Sequence, residues 1–248
     1  MHEVMIITGG SRGIGAATAK LAARKGYRVC LTYRGNRQAA DEVVAEITRD
    51  GGEAIALAAD VSVERDVVGL FESVDRALGP VGVLVNNAGI LETRSRVEAM
   101  DAERLARVLA VNVTGSFLCA REAVHRMSTK RGGAGGAIVN LSSAASRLGG
   151  PNEFVDYAAA KGAIDTFTIG LAKEVADEGI RVNAVRPGLI YTDIHGSGGQ
   201  PDRVDRLKDS VPMQRGGYPE EVARAILWLA SDEASYSTGS FINVDGGR

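Results

Sequence analysis

The sequence predicts a single doubly wound α/β domain, in which seven parallel strands form one sheet with helices on both faces. The first observation is that short apolar runs alternate with longer amphipathic runs throughout the 248 residues. This alternation requires right-handed crossover connections, which return each strand parallel to the one before. The second observation is the length, because single α/β domains often reach roughly 250 residues. We therefore expect one domain over residues 1–248.

The seven strands are predicted from short runs of apolar and β-branched residues that end at glycines or polar turns. In chain order they cover residues 4–8, 29–33, 54–58, 81–85, 137–141, 181–185 and 240–244.

Helices are predicted between the strands, where apolar residues recur at helical spacing and glycine or proline ends the pattern. They cover residues 14–25, 41–50, 64–78, 101–130, 155–178 and 219–230. The range 101–130 is interpreted as one long helix because it contains few internal breakers. The glycines of 132–136 indicate a loop, since a strand follows at once.

The irregular stretch at about 190–212 is predicted to be a mobile substrate lid, because its glycines permit closure. It contains Arg203, Arg206 and Lys208. These side chains either meet an anionic substrate or belong to a solvated helix face.

Charge and composition exclude several classes of protein. Lys and Arg number 29 against 31 Asp and Glu, which leaves no positive surplus for binding nucleic acid. The N-terminus has no signal-peptide pattern, and no apolar run reaches the roughly 18 residues of a membrane span. Cys30 and Cys119 are too few for a disulfide framework and indicate a reducing compartment. We expect a soluble, cytoplasmic protein without membrane or nucleic-acid partners.

Metal binding is not expected. The three histidines, His2, His125 and His195, are too scattered to form a metal site. The two cysteines are interpreted as buried small hydrophobic residues.

The segment after the first strand resembles a phosphate-binding turn. Glycines allow the backbone N–H groups to approach a pyrophosphate, and the following helix N-terminus favours negative charge. The alternative is an ordinary glycine turn, but its position at the first strand–helix junction favours a dinucleotide site. The candidate contacts are Gly9, Ser11, Arg12, Gly13, Ile14 and Gly15.

Polar residues also follow later strands, where ligands bind in open parallel sheets. Asp60 ends the third strand, an Asn-rich turn over 86–89 ends the fourth, and Ser142 and Ser143 follow the fifth. Tyr157 and Lys161 are four residues apart on the next helix, which places both side chains on one face. Each feature alone fits a turn or a solvated helix face.

Together these features resemble the short-chain dehydrogenase/reductase family. The matching residues run in the family's order over nearly the whole chain: Thr8-Gly9-x-x-x-Gly13-x-Gly15, Asp60, Asn86-Asn87-Ala88-Gly89, Asn112, Ser143, Tyr157-x-x-x-Lys161, Pro187-Gly188 and Val244-Asp245-Gly246-Gly247. The resemblance implies a Rossmann fold, a bound NAD(P) and hydride transfer between the nicotinamide and a carbonyl or secondary alcohol carbon.

The resemblance also implies the catalytic roles. Tyr157 is the proton donor or acceptor, Ser143 holds the substrate oxygen with Ser142 as its competitor, and Asn112 stabilises a helix kink and a water near Lys161. An ammonium ~4 Å from the phenol at an effective dielectric of ~20 is worth ~4 kcal/mol, or ~3 pK units. We therefore expect Lys161 to lower the pKa of Tyr157 towards neutrality.

Further cofactor contacts follow from the resemblance: Tyr33, Arg34, Asp60, Val61, Asn87, Ala88, Gly89, Tyr157, Lys161, Pro187, Gly188, Ile190 and Thr192.

The second strand predicts NADP(H) rather than NAD(H). An NAD-specific site usually places a carboxylate about 20 residues beyond the glycines, whereas Tyr33 and Arg34 occupy that place here. Arg34 and Arg12 can bind a 2′-phosphate, with Asn36 or Arg37 as a further donor.

The sequence leaves open the substrate and the class of function. The substrate is a small carbonyl or alcohol compound, with 3-oxoacyl-carrier-protein reductase and sugar dehydrogenase as alternatives. A non-catalytic dinucleotide-binding redox sensor is the alternative from another class, but it has no need of the Ser143, Tyr157 and Lys161 set. A homotetramer is expected from similar proteins.

Overall fold

The computed structural model describes residues 3–248, and its centre is one seven-stranded parallel sheet with the order β3-β2-β1-β4-β5-β6-β7. The strands are β1 Val4–Ile7, β2 Arg28–Tyr33, β3 Ala54–Ala58, β4 Val81–Asn86, β5 Gly136–Leu141, β6 Ile180–Pro187 and β7 Phe241–Val244. The order reverses between β1 and β4, which is the point where doubly wound sheets bind ligands. The predicted fold class is confirmed.

Ten α-helices accompany the strands in the described residues. They are α1 Gly13–Arg24, α2 Arg37–Arg49, α3 Glu64–Ala77, α4 Ala102–Leu109, α5 Gly115–Met127, α6 Ala145–Leu148, α7 Val155–Glu174, α8 Ile194–Ser197, α9 Arg203–Leu207 and α10 Pro219–Ala230.

The strand residues alternate between two separate cores, as expected for a sheet covered on both faces. Met5 and Ile7 of β1 pack with α1, α2 and α10, whereas Val4 and Ile6 pack with α3, α5 and α7. Cys30 and Cys119 are fully buried in the second of these cores, which confirms their interpretation as buried small hydrophobic residues.

The predicted helix over 101–130 is interrupted. A π-helical turn, Ala110–Thr114, separates α4 from α5, and a short 3₁₀ turn follows α5. Single π turns often occur at functional sites, and this one is centred on Asn112. Helical periodicity could not reveal it, because a π turn adds one residue to a turn without any breaker.

Other boundaries differ for local reasons. The helix predicted over 41–50 begins four residues earlier, because the side chain of Asn36 accepts a hydrogen bond from the Ala39 N–H at 3.0 Å and caps α2. The helix predicted over 155–178 ends at Glu174, and a 3₁₀ turn leads to Gly179 with φ of 74°. The short helices α6, α8 and α9 were not predicted.

Candidate active site

A cleft of about 680 Å³ opens at the carboxyl ends of the first six strands. Its volume lies within the usual range for small-molecule and cofactor sites. Most of the predicted site residues line it: Gly9, Ser11, Arg12, Gly13, Ile14, Tyr33, Arg34, Asp60, Val61, Asn87, Ala88, Gly89, Ser143, Tyr157, Lys161, Pro187, Gly188, Ile190 and Thr192. Gly15 and Asn112 lie behind its wall.

The glycine turn after β1 forms one end of the cleft and could hold a pyrophosphate. Gly9 and Gly13 have φ of +65° and +53°, and a Cβ at Gly9 would lie 3.0 Å from the Cα of Ala88. Arg12 precedes α1 without a side-chain cap, and the first turn contains no acidic residue. The uncapped, positive end of a helix beside a glycine turn fits a phosphate group.

Gly15 acts through packing. A Cβ at this position would lie 2.5 Å from the carbonyl oxygen of Gly9 and 2.6 Å from Nδ2 of Asn87. Only a glycine lets α1 approach the two turns this closely, so Gly15 supports the shape of the cleft without lining it.

Hydrogen bonds join the turn after β1 to the turn after β4. The hydroxyl of Thr8 accepts from the backbone N–H groups of Asn87 and Ala88, both at 3.0 Å. The side chain of Asn87 donates in return to the carbonyl oxygens of Thr8 and Gly9, at 2.8 and 3.0 Å. These bonds fix the two turns that flank the reversal in strand order.

Asn112 lies behind the wall of the cleft and hydrogen-bonds Ile90, which lines the cleft. Its amide donates to the carbonyl oxygens of Ile90 and Val108, both at 3.0 Å, and its Oδ1 accepts from the Ile90 N–H at 3.2 Å. The residue is 1% exposed. Its side chain thus connects the π turn to the segment after β4, next to Gly89.

Ser143 and Tyr157 meet in the cleft. Ser143 follows β5 and hydrogen-bonds the side chain of Tyr157, which lies in the first turns of α7 and is partly exposed. Ser142 is buried, and its hydroxyl donates to the carbonyl oxygen of Lys161 at 3.3 Å. The two serines therefore have different surroundings, and only the hydroxyl of Ser143 faces the phenol.

Lys161 is buried one helical turn beyond Tyr157, at 4% exposure. Its Nζ donates to the carbonyl oxygen of Leu141 at 2.7 Å and lies 5.5 Å from the centre of the Tyr157 ring. The helical spacing thus brings the ammonium group beside the phenol, as the sequence predicted.

Burial dominates the pKa of both groups. It raises the pKa of Tyr157 to about 12, against a hydrogen bond with Ser143 that lowers it. It lowers the pKa of Lys161 to about 8, although the charge of Asp165 acts in the opposite direction. The expected lowering of the Tyr157 pKa by Lys161 is therefore wrong for this structure. The cost of removing a phenolate from water exceeds the attraction of an ammonium that also donates to Leu141.

Arg34 and Arg12 both line the cleft but have different partners. The Arg34 guanidinium lies 3.8 Å from the carboxylate of Asp60, and its side chain is 69% exposed. The Arg12 guanidinium donates to the hydroxyl of Ser197 in α8 at 3.2 Å. Of the two further donors, Asn36 caps α2 with its oxygen and Arg37 pairs with Asp41 at 3.3 Å.

The three cations of the 190–212 segment are paired with nearby side chains. Arg203 donates to Glu153 at 2.6 Å, Lys208 donates to Asp205 at 3.2 Å, and Arg206 donates to Gln200. Arg206 is exposed and Lys208 is partly exposed, as on a solvated helix face, whereas the Arg203 side chain is only 11% exposed.

A buried ion pair at the start of α7 was not predicted from the sequence. Arg104 of α4 donates to Asp156 at 2.7 Å and to the carbonyl oxygen of Thr93 at 2.7 Å. Asp156 also accepts from the backbone N–H of Tyr157 at 2.9 Å. The pair joins residues 52 positions apart, so no local pattern could reveal it.

Residues 3–248 contain no cluster of His, Cys, Asp and Glu suited to a metal ion, and His2 lies outside these residues. No helix among them has the length and apolar character to cross a membrane.

The chain is similar to known oxidoreductases over nearly its whole length. Residues 9–248 match a family model described as "Enoyl-(Acyl carrier protein) reductase". An uncharacterised oxidoreductase of Escherichia coli, YgfF, is 61% identical over 99% of both chains. A 3-oxoacyl-[acyl-carrier-protein] reductase of Synechocystis is 41% identical over 99% of this chain and 96% of its own length.

A second functional class appears at similar identity. Glucose 1-dehydrogenase 2 of Bacillus subtilis is 38% identical over 99% of this chain and 94% of its own. Among solved structures, a short-chain type dehydrogenase/reductase of Mycobacterium marinum superimposes with a TM-score of 0.92 at 34% identity, covering 99% of this chain and 94% of its own.

Proposed function

The chain belongs to the short-chain dehydrogenase/reductase family, and we propose that it reduces a small carbonyl compound to a secondary alcohol with NADPH. The observation that carries this proposal is the meeting of Ser143, Tyr157 and Lys161 in one cleft beside a phosphate-type glycine turn. Its relatives establish an oxidoreductase of this family, and the cofactor form, the reaction direction and the residue roles are our proposal.

Ser143, Tyr157 and Lys161 have different roles in the proposed carbonyl reduction. The hydroxyl of Ser143 holds the substrate oxygen, and the phenol of Tyr157 donates the proton to it as negative charge develops. Lys161 supplies positive charge next to the phenol, which stabilises the phenolate left by proton transfer. When bound, the nicotinamide supplies the hydride.

The high pKa of Tyr157 supports the reductive direction. A phenol with a pKa of about 12 is protonated at neutral pH, so it is ready to donate a proton. The reverse reaction requires a phenolate, which burial disfavours. We therefore propose proton donation as the main role of Tyr157.

The preference for NADPH rests on the end of β2. Tyr33 and Arg34 line the cleft there, and the Arg34 guanidinium is mostly exposed and available to a ribose 2′-phosphate. Asp60 lies 3.8 Å away and partly compensates this charge. It belongs to the turn after β3, so it is not the carboxylate that an NAD-specific site usually has at the end of the second strand. Arg12, at the glycine turn, is the second proposed cation.

Two substrate classes are supported by relatives, namely 3-oxoacyl thioesters of a carrier protein and simple sugars. A non-catalytic dinucleotide sensor is less well supported, because a binding protein has no use for a phenol in the cleft paired with a buried amine. The intact serine, tyrosine and lysine set favours an enzyme.

A homotetramer is also proposed. Large apolar side chains are exposed on the helices beside the cleft, among them Leu109 and Phe117 on the 102–127 segment and Ile169 on α7. Burial of these side chains against further copies of the chain would remove apolar surface from water. Light scattering that reports a monomer at micromolar concentration would contradict this assembly.

One experiment tests the function. Absorbance of the reduced cofactor is followed with NADPH or NADH and a panel of ketones, aldehydes and 3-oxoacyl thioesters, and with NADP⁺ or NAD⁺ and sugars, using wild type and Tyr157→Phe. We expect NADPH oxidation by wild type with at least one carbonyl and almost none by the variant. No turnover with any compound would contradict the proposal.

A further inference from the structure

The segment over residues 191–216, which includes most of the predicted lid, is a folded unit that begins and ends at one place. Tyr191 donates its backbone N–H to the carbonyl oxygen of Gly217 at 2.9 Å, and the N–H of Gly217 donates to the carbonyl oxygen of Leu189 at 2.9 Å. The side chain of Val204 is buried in a small cluster that is separate from the two main cores. A loop with joined ends and its own packed side chains can dock on a neighbouring surface as one body.

Ion pairs join this segment to the rest of residues 3–248 at two points. Arg215 meets Glu221 at the base of the segment at 2.6 Å, and the two side chains are 45% and 32% exposed. Arg203 meets Glu153 in the wall of the cleft, also at 2.6 Å, with side chains 11% and 21% exposed. The pair in the cleft wall is the more buried of the two, so the removal of one of its charges should cost more.

Glu153 is fixed in place on the cleft side of this contact. Its backbone N–H donates to the carbonyl oxygen of Gly150, which has φ of +56°, and its carbonyl oxygen accepts from the N–H of Ser95 at 3.0 Å. Its carboxylate also lies 3.9 Å from the guanidinium of Arg94. The hydrogen bond from Arg203 is the largest influence on the pKa of Glu153 and lowers it, so the carboxylate is charged at neutral pH.

The position of Glu153 connects the segment to the proposed proton donor. Glu153 precedes α7 and lies four residues before Tyr157. The segment therefore docks on the element that carries the phenol. At the glycine turn, by contrast, the segment accepts an exposed and uncharged contact, the hydrogen bond from Arg12 to the hydroxyl of Ser197 at 3.2 Å. The charged contact thus lies at the end of the cleft where the carbonyl compound would react.

We propose that Glu153 is a positioning residue, which docks the 191–216 segment over the cleft through its ion pair with Arg203 and so completes the binding surface for the carbonyl substrate. The substrate then meets a preformed pocket, and its binding does not have to close the segment. The kinetic part of this inference rests on the proposed carbonyl reduction. Glu153 takes no part in proton transfer.

Loss of either charge should raise the KM for the carbonyl substrate and leave kcat almost unchanged. Glu153→Gln leaves the Arg203 cation without its carboxylate, and Arg203→Gln removes the donor that holds the segment. The apparent affinity for substrate falls with the docked fraction of the free enzyme, so we expect KM to rise about tenfold. A variant that only distorted the start of α7 would instead lower kcat, because Tyr157 lies there.

A double variant and a control isolate the contribution of the ion pair. Glu153→Gln combined with Arg203→Gln removes both charges, so its KM should be no higher than that of either single variant. Arg215→Gln is the matched control, because it breaks an Arg–Glu pair of the same length that joins the same segment to α10. The KM of this control should stay near the wild-type value.

Hydrogen exchange followed by mass spectrometry measures docking without turnover. Peptides that cover residues 196–207 have the same sequence in wild type, Glu153→Gln and Arg215→Gln. Differences in their exchange therefore report the environment of the segment and not its composition. We expect faster exchange over this range in Glu153→Gln, and exchange at the wild-type rate in the control.

The outcomes separate this inference from the proposed function. A fall in kcat at unchanged KM, additive effects in the double variant, or an equal rise in KM for Arg215→Gln overturns the positioning role while carbonyl reduction stands. Unchanged exchange over residues 196–207 in Glu153→Gln overturns it as well. If no carbonyl compound supports NADPH oxidation, the proposed function fails, and the exchange experiment alone decides whether Glu153 docks the segment.

Discussion

Two buried cations lie at helix α7, and their surroundings differ. Arg104 of α4 contacts the first turn of this helix, and Lys161 is one of its own residues. Arg104 meets the carboxylate of Asp156 at 2.7 Å in the first turn, and both side chains are almost fully buried. Lys161, one turn beyond the tyrosine, donates to the carbonyl oxygen of Leu141 and has a pKa lowered to about 8. The first cation has a fixed charge and a counter-ion, whereas the second is able to lose its proton near neutral pH.

The difference separates structure from chemistry on one helix. A buried ion pair holds its elements in place but is costly to break. A buried amine whose hydrogen bond goes to a neutral carbonyl oxygen is destabilised in its charged form, which is typical of functional sites. We infer that Arg104 and Asp156 anchor the start of α7, and that Lys161 with Tyr157 performs the proton chemistry.

The largest expected effect is on the chemical side of this comparison. Tyr157→Phe keeps the ring and removes the transferable proton, so kcat should fall by about 10³-fold, within the range for a general acid. NADPH binding, followed by fluorescence titration, should stay near the wild-type value. A variant that retains activity would place the proton donor elsewhere.

The next prediction concerns the contribution of the Arg104–Asp156 ion pair to stability. Arg104→Ala leaves Asp156 buried without its counter-ion, which should lower the free energy of unfolding by about 3–5 kcal/mol. Arg24→Ala is the matched control, because it breaks an exposed pair with Asp50 that should be worth about 1 kcal/mol or less. Urea unfolding measures both, and equal losses would show that the buried pair is not an anchor.

The two serines after β5 provide a sharper comparison at the site. Ser143→Ala removes the hydroxyl that faces Tyr157 and should reduce kcat by about 10²-fold. Ser142→Ala removes only a bond to the helix backbone at 3.3 Å and should cost far less activity. Steady-state kinetics on both variants decide the matter, and the reverse order would exchange their roles.

Arg34→Ala tests the cofactor end of the cleft. Loss of a charge-assisted contact to the 2′-phosphate should raise the KM for NADPH by about tenfold, while the KM for NADH stays nearly the same. A wild-type enzyme with equal or better kcat/KM for NADH would contradict the assignment of β2.

The last prediction concerns the dependence of stability on pH. Lys161 has its pKa lowered from 10.5 to about 8 in the folded protein. Between these values the unfolded chain binds a proton that the folded protein does not, so wild-type stability should rise with pH in that window. Lys161→Met should lack this rise when urea unfolding is repeated at several pH values. Parallel pH profiles for both proteins would show that Lys161 is not perturbed.

The sequence predicted the sheet and the position of the cleft because these depend on local signals. Apolar periodicity marked the strands, and the four-residue spacing placed Tyr157 beside Lys161. The pKa of Tyr157 could not be predicted, because it depends on burial within the assembled fold. The Arg104–Asp156 pair also arises from a contact between distant elements, for which no local pattern exists.

The most direct test of the central claim is the pH dependence of kcat/KM for carbonyl reduction by wild type. Tyr157, with a pKa of about 12, stays protonated throughout the accessible range, so the first change should come from Lys161. We predict a plateau at lower pH and a decline through about pH 8, as Lys161 loses its proton and its charge no longer stabilises the phenolate. A rate that stays constant until the pH approaches the pKa of an ordinary lysine would contradict the account.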